Sequence, residues 1–243
     1  METELLSLWK NIFGDHDGFW ELFGETGFLP AHCRTVTLEG RLAAALYWFD
    51  VSCGGQSMAY LYAVATHPDF RGRGLCRRLM ADTEAHLEAL GYTGVLLVPE
   101  KPSLRKMYAK MGYEEGTTVS EFSCGMGESP VALGSVTPEE YARLRRKLLP
   151  PGGVVQEGEN LTFLAAQARL YAGEAFLMAA WQDGGVLHAM ELLGNADAAP
   201  GILKALGFPR GIFRTPGQDQ NFAMFKPLQK NAVTPQYFGL AFD

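Results

Sequence analysis

The stretch Tyr60-Leu-Tyr-Ala-Val-Ala-Thr-His-Pro-Asp-Phe-Arg-Gly-Arg-Gly-Leu-Cys-Arg-Arg-Leu-Met80 decides how the rest of the chain is read. Tyr60 to Thr66 is an apolar, β-prone run, the composition of a buried strand. His67-Pro68-Asp69 ends it, because proline has no N–H to give to a ladder. Arg71-Gly72-Arg73-Gly74 follows, and then a long helical pattern begins. A strand feeding a glycine-rich turn that opens a helix is a phosphate-binding geometry. Glycines let the backbone approach the anion, and the free N–H groups of the first helical turn point at it. Arg71, Arg73, Arg77 and Arg78 make this segment strongly positive in a chain whose net charge is −6. The segment is read as an anion site.

Two common phosphate loops are excluded. The P-loop needs Gly-x-x-x-x-Gly-Lys-Ser/Thr, and the lysine and hydroxyl are missing. The dinucleotide fingerprint Gly-x-Gly-x-x-Gly fails because Arg77 stands at its last position. What remains, Arg71-x-x-Gly74-x-Cys76, resembles the Arg/Gln-x-x-Gly-x-Gly/Ala signature of the GNAT superfamily of N-acetyltransferases. The resemblance extends back to Val64, Thr66 and Pro68. It extends forward to Met107-Tyr-Ala-Lys-Met-Gly-Tyr113, which is similar to the family's Leu-Tyr-Glu-Lys-Leu-Gly-Phe motif. Together these motifs span residues 34 to 124.

The resemblance implies an α/β (α+β) GNAT fold, a mixed central sheet flanked by helices, with acetyl-CoA as co-substrate. Acetyl transfer to an amine requires that the thioester be held, its carbonyl polarised and protons moved. In the family the strand before the loop splays from its neighbour, which leaves backbone N–H groups of Val64, Ala65 and Thr66 for pantetheine and the acetyl carbonyl. Arg71, Gly72, Arg73, Gly74, Leu75, Cys76 and Arg77 would contact the pyrophosphate, and Ser103 is a further cofactor-binding candidate. Cys76 departs from the family's glycine or alanine but is small enough for the turn. Direct attack by the amine leaves it no nucleophilic role. Tyr108 occupies the position from which many members protonate the leaving thiolate. A phenol of pKa about 10 is a reasonable match to a thiol of about 8.5. Seven residues earlier, Lys101 replaces the asparagine often found in the family. The general base stays open among His67, Asp50, Glu100, Glu121, the Asp243 carboxylate and a water chain.

The chain has 243 residues, enough for one large domain or two small ones, and 47% of them are hydrophobic, as in ordinary globular proteins. The acidic balance argues against nucleic-acid or membrane-surface partners. Four scattered cysteines without a Cys-x-x-Cys pair or matching histidines suggest reduced thiols and no metal site. Met1-Glu-Thr-Glu4 does not look like a signal peptide, and no apolar run reaches the roughly 20 residues of a membrane span. The expectation is a cytoplasmic protein, with a homodimer left open.

Leu5, Leu6, Leu8, Trp9, Ile12 and Phe13 share one side of a helix, and Phe19 to Phe23 suggests a second short helix ending at Gly24. In the GNAT fold two such helices lie between the first strands and border the substrate cleft. Trp20 and Phe23 are weak acceptor candidates, since clustered aromatics more often pack a core. Strands are expected at 35–38, 42–51 and 58–66, and a helix from Leu75 to Leu90 closed by Gly91. A short strand at 95–98 comes next, then a helix capped by Ser103, and a last strand of this unit at 117–123. The first domain is placed at residues 1–128.

Residues 129–243 are read as a second, degenerate GNAT-like domain that completes the sheet or walls the acceptor cleft. Thr137-Pro-Glu-Glu140 is a capping box with proline at N1. Helices are expected to Leu149 and at 162–171, and a hairpin over Ala175 to Leu193 turns at Asp183-Gly-Gly185. Pro200 to Phe208 echoes Pro102 to Tyr113, and 221–228 echoes 117–123. There is no room between Leu193 and Pro200 for a glycine–arginine loop, so one cofactor site per chain is expected. The leading reading is an N-acetyltransferase acting on a small-molecule amine by direct attack. A protein or peptide acetyltransferase, a non-catalytic acyl-CoA sensor or scaffold, and a nucleotide-phosphate binder are the alternatives.

Overall fold

The computed structural model describes residues 3–14 and 18–242. Asp243, one of the candidate bases, lies outside the described residues. The chain divides into two compact units, Met1–Glu114 with Met224–Val233, and Glu115–Ala223 with Thr234–Asp243.

In the first unit, helices α1 (Thr3–Phe13) and α2 (Phe19–Thr26) both precede the first described strand, instead of lying between the first strands. Helix α2 also runs through Gly24. Strands β1 (Cys33–Leu38), β2 (Arg41–Cys53) and β3 (Gln56–Thr66) form an antiparallel meander. Helix α3 (Leu75–Ala89) then returns the chain to β4 (Gly94–Leu97), which is parallel to β3. Helix α4 (Pro102–Ala109) follows, and Met224–Pro227 pairs antiparallel with β4.

The period of two along β2 and β3 separates two cores. Tyr47, Phe49 and Tyr62 face an aromatic cluster with Trp9, Trp20, Phe23 and Phe28 from the α1–α2 segment. Leu46, Trp48, Ala59 and Leu61 face the other way, against Leu75, Leu79, Met80 and Leu87 of α3. Trp20 and Phe23 are therefore core residues; both are buried. Each buried side chain of this kind contributes about 1.5–3 kcal/mol. Gly91, at φ 92°, lets α3 end in a Schellman turn, in which Tyr92 N–H donates to the Leu87 carbonyl and Gly91 N–H to that of Glu88.

Three local expectations are corrected. Ser103 does not cap α4: Lys101 is the cap residue, Pro102 takes the first turn, and Ser103 sits exposed within the helix. Residues 162–171 are not one helix, since α6 (Glu159–Gln167) stops and Arg169–Gly173 is a strand paired with Phe176–Asp183. The strand at 117–123 does not close the first sheet. Thr118–Gly125 pairs antiparallel with Arg210–Pro216 in the second sheet, and Met224–Pro227 takes the place beside β4.

The second unit's sheet runs, in spatial order, Leu133–Ser135, Arg169–Gly173, Phe176–Asp183, Val186–Gly194, Arg210–Pro216, Thr118–Gly125 and Gln220–Asn221. Helix α5 (Pro138–Leu148) opens with the expected capping box, Thr137 and Glu140 each accepting the other's backbone N–H. Helix α7 (Ala199–Leu206) joins Val186–Gly194 to Arg210–Pro216, and these two strands are parallel. It therefore stands topologically where α3 stands in the first unit, not where α4 stands. The sequence signal for this lies in Ala89-Leu-Gly-Tyr92 and Ala205-Leu-Gly-Phe208. Gly207 has φ 78° and Phe208 N–H donates to the Leu203 carbonyl, as Tyr92 N–H does to Leu87.

Candidate active site

The site is built where β3 and β4 part. Their parallel pairing covers Met58↔Gly94 to Tyr60↔Leu96, while β3 runs on to Thr66. Beyond Tyr60, the β4-side backbone of β3 has left that ladder. A bulge falls in the same stretch: Ala45 opposes Ala65 and Tyr47 opposes Tyr62, so Ala63 and Val64 together face Leu46. Ala63 adopts φ 52°, a left-handed conformation that costs a non-glycine residue about 1–3 kcal/mol. Its carbonyl accepts a 2.8 Å hydrogen bond from the buried Trp9 Nε1–H. Nothing in the Ala-Val-Ala sequence announces this bulge.

After Thr66 the chain turns through Pro68–Phe70, where the His67 imidazole accepts a hydrogen bond from Asp69 N–H at 3.2 Å. His67 is thus engaged in holding its own turn. Gly72 and Gly74 both have positive φ, 76° and 75°, and an added Cβ at either would meet open space. Gly74 is the cap residue of α3, and no side chain caps the helix. Arg78 N–H donates to the Gly74 carbonyl, so the first-turn N–H groups of Leu75, Cys76 and Arg77 precede the first intrahelical bond. Arg71, Arg73, Arg77 and Arg78 are exposed around this opening. Arg73 reaches Glu39 at 3.3 Å and Arg78 reaches Asp82 at 3.7 Å. Arg71 Nε donates to the Thr66 carbonyl at 3.3 Å, which ties the loop to the end of β3. Among the described residues Arg71 and Arg77 have no carboxylate partner, so their charge is available to an anion. Open space above glycines, an uncapped helix start and unspent guanidinium charge together fit a diphosphate.

Tyr108, on α4, is buried at 6% exposure and packs in the core beneath α3, edge-on to Tyr113 with ring centroids 5.8 Å apart. Its hydroxyl makes no hydrogen bond to the protein among the described residues. Burial pushes the phenol well above its ordinary value of 10.0, and the Cys76 thiol beside it adds to the shift. The near match to a thiol expected from the free phenol is thereby lost, but the proton is retained throughout the working range. Burial also raises the Cys76 thiol, which keeps it protonated and poorly nucleophilic. Behind Tyr108, Tyr113 OH donates to Glu84 at 2.8 Å. Lys226 Nζ bridges Glu84 at 2.6 Å and the Met111 carbonyl at 2.8 Å, joining α3 to the turn after α4.

The remaining base candidates have other surroundings of their own. Asp50 is engaged by Tyr92 OH at 2.5 Å and faces His32 Nε2 at 3.7 Å. Glu100 pairs with Lys101 on the surface, and Glu121 is exposed on a strand of the second sheet.

A family described as an acetyltransferase (GNAT) domain matches residues 2–116. Among solved structures the chain is similar to a GCN5-related N-acetyltransferase from Kribbella flavida, with TM-score 0.69 and 20% identity over 94% of this chain and 70% of that one. A GCN5-related N-acetyltransferase from Anabaena variabilis gives TM-score 0.72 at 14% identity, over 93% and 70%. A tandem GNAT protein from the clavulanic acid biosynthesis pathway gives 0.54 at 13%, over 93% and 94%. At these identities the structures show the fold alone. A comparison with curated proteins gives no match. The fold is that of these N-acetyltransferase structures, and residues 2–116 match the acetyltransferase domain. The likeness to the GNAT acetyltransferases is carried in sequence by residues 2–116, the part of the chain that holds the glycine–arginine loop and Tyr108.

Proposed function

We propose that the first unit transfers an acetyl group from acetyl-CoA to the primary amine of a small molecule, by direct attack of the amine. The observation that carries this is the pairing of an uncapped, arginine-lined helix start with a strand that leaves its parallel neighbour just before it. When bound, acetyl-CoA supplies the thioester. The N–H groups of Leu75, Cys76 and Arg77, with Arg71, Arg73 and Gly72–Gly74, hold the diphosphate. The backbone of Val64, Ala65 and Thr66 orients the acyl chain and offers N–H donors to its carbonyl. Tyr108 holds a proton at its hydroxyl, next to Cys76 of the loop helix, from which a departing thiolate can be hydrogen-bonded or protonated. The high phenol pKa favours hydrogen bonding over complete early transfer.

The binding half is tested with Gly74→Val. Its Cβ would enter the open space above the loop, and its branched side chain resists φ 75°. A folded variant should lose acetyl-CoA affinity by about a hundredfold or more in calorimetry, and undiminished affinity would remove the loop from the site. The acceptor is tested by acetyl-CoA consumption over amino acids, polyamines, aminoglycosides and peptides. Turnover confined to peptides would move the substrate class. Tight binding without turnover on any amine would favour an acyl-CoA sensor.

A further inference from the structure

We infer that Trp9, on the first helix, is a positioning residue for acyl transfer, because it pins the strained bulge whose backbone polarises the acyl carbonyl. Three observations meet at one peptide. Ala63 sits in the left-handed region without being glycine, so its conformation must be imposed from outside. The register between β2 and β3 slips there, and only there within their paired length. The Ala63 carbonyl is taken by Trp9 Nε1–H at 2.8 Å, from a side chain with no solvent exposure and 54 positions away in sequence.

The indole itself is fixed by packing. It stacks on Trp20 at 5.3 Å and meets Phe23 and Phe28 edge-on at 5.8 and 6.1 Å. A rigid donor on a rigid helix thus holds the peptide that follows Ala63, and with it the N–H of Val64. Pairing resumes at Ala65, so a rotation of that one peptide re-aims the next two amides. The Val64 N–H lies on the part of β3 that has passed its last β4 partner, where an acyl carbonyl would meet it, while Ala65 is back in register with Ala45 of β2. Backbone donors help only when aimed at the oxyanion, so loss of the pin costs rate more than binding.

This rests on the acetyl-transfer reading, and the test separates the two. Trp9→Phe keeps an aromatic ring in the cluster and removes the one donor. Ala63→Gly, added to it, lets residue 63 take φ 52° without being forced. Trp9→Phe should lower kcat about tenfold or more while KM for acetyl-CoA and the affinity for free CoA stay within about twofold. The double variant should recover part of the lost kcat. In ¹⁵N NMR spectra of the unliganded protein, the Val64 and Ala65 amides should shift and exchange faster in Trp9→Phe and move back in the double variant. Equal losses of CoA affinity and of thermal stability, with kcat per folded molecule unchanged, would reduce Trp9 to a packing residue. Unmoved Val64 and Ala65 amides would overturn the pin outright, even if the wild type bound no acyl-CoA. Failure of the wild type to bind CoA would instead sink the acetyl-transfer reading on its own.

Discussion

The two sheets follow one plan and part at one place. Reading outward from the parallel pair, each has two antiparallel strands on one side and an antiparallel strand on the other. Each also has a bulge in the strand that feeds the crossover helix. In the second unit Ala179 opposes Glu191 and Ala180 opposes Ala189, which leaves Met190 over, just past the last parallel pair at Ala189↔Phe213. Past the bulge the two units diverge. The first unit places Ala65 there, then a glycine–arginine loop and a 15-residue helix. The second places Glu191, then the short turn Ala196–Ala198 with Asp197 at its head and an 8-residue helix. Glu191 is fully buried and receives a bidentate pair from Arg145, at 2.7 and 2.8 Å, with Tyr141 OH and Tyr237 OH at 3.2 and 3.0 Å. The same backbone bulge is thus followed by an uncharged alanine in one sheet and by a buried carboxylate saturated with side-chain donors in the other.

The largest test of that contrast removes the saturation. Arg145→Ala leaves the Glu191 carboxylate buried without its counter-charge, and the second unit should lose about 3–5 kcal/mol in denaturant unfolding. A loss below about 1 kcal/mol would mean that water reaches the pair and that the closure is loose. Titration with excess CoA should meanwhile saturate at one molecule per chain, and a second molecule would show that the closed unit can open. In the first unit, Tyr108→Phe removes the hydroxyl and keeps the ring. It should leave acetyl-CoA affinity near wild type and lower kcat by about 10²–10⁴-fold, toward the lower end given the buried phenol. Wild-type turnover would assign the proton to water. The smallest effects come from a matched pair. Gly91→Ala and Gly207→Ala each place a Cβ at a left-handed helix end with open space around it. Each should destabilise its own unit by about 1 kcal/mol. Unequal effects would argue that the two helix ends, alike in backbone, carry different loads.

How much the sequence disclosed depends on range. The loop, the capping box at Thr137 and the hairpin turn at Asp183-Gly-Gly185 are written in neighbouring residues, and all three lie where expected. The exchange of Thr118–Gly125 and Met224–Pro227 between the sheets is set by pairing between strands far apart in the chain, which no local pattern encodes. The equation of Pro200–Phe208 with Pro102–Tyr113 failed for a related reason. A helix followed by Gly and an aromatic occurs after both α3 and α4, and only the parallel pairing of Arg210–Pro216 tells which one α7 matches. The bulge at Ala63 was hidden because glycine is the usual signal for positive φ and alanine gives none.

The late return of Met224–Pro227 has a consequence for how this protein is made. The strand beside β4, and the Lys226 ammonium that ties Glu84 to the Met111 carbonyl, leave the ribosome long after the loop that they support. Until then β4 presents a bare edge, the kind of surface on which nascent chains mispair. The first unit, although most of it is translated first, is among the last parts of the chain that can finish folding. A gene cut at the apparent linear boundary near residue 128 should therefore yield an N-terminal fragment that aggregates, and supplying the remainder as a separate chain should rescue it.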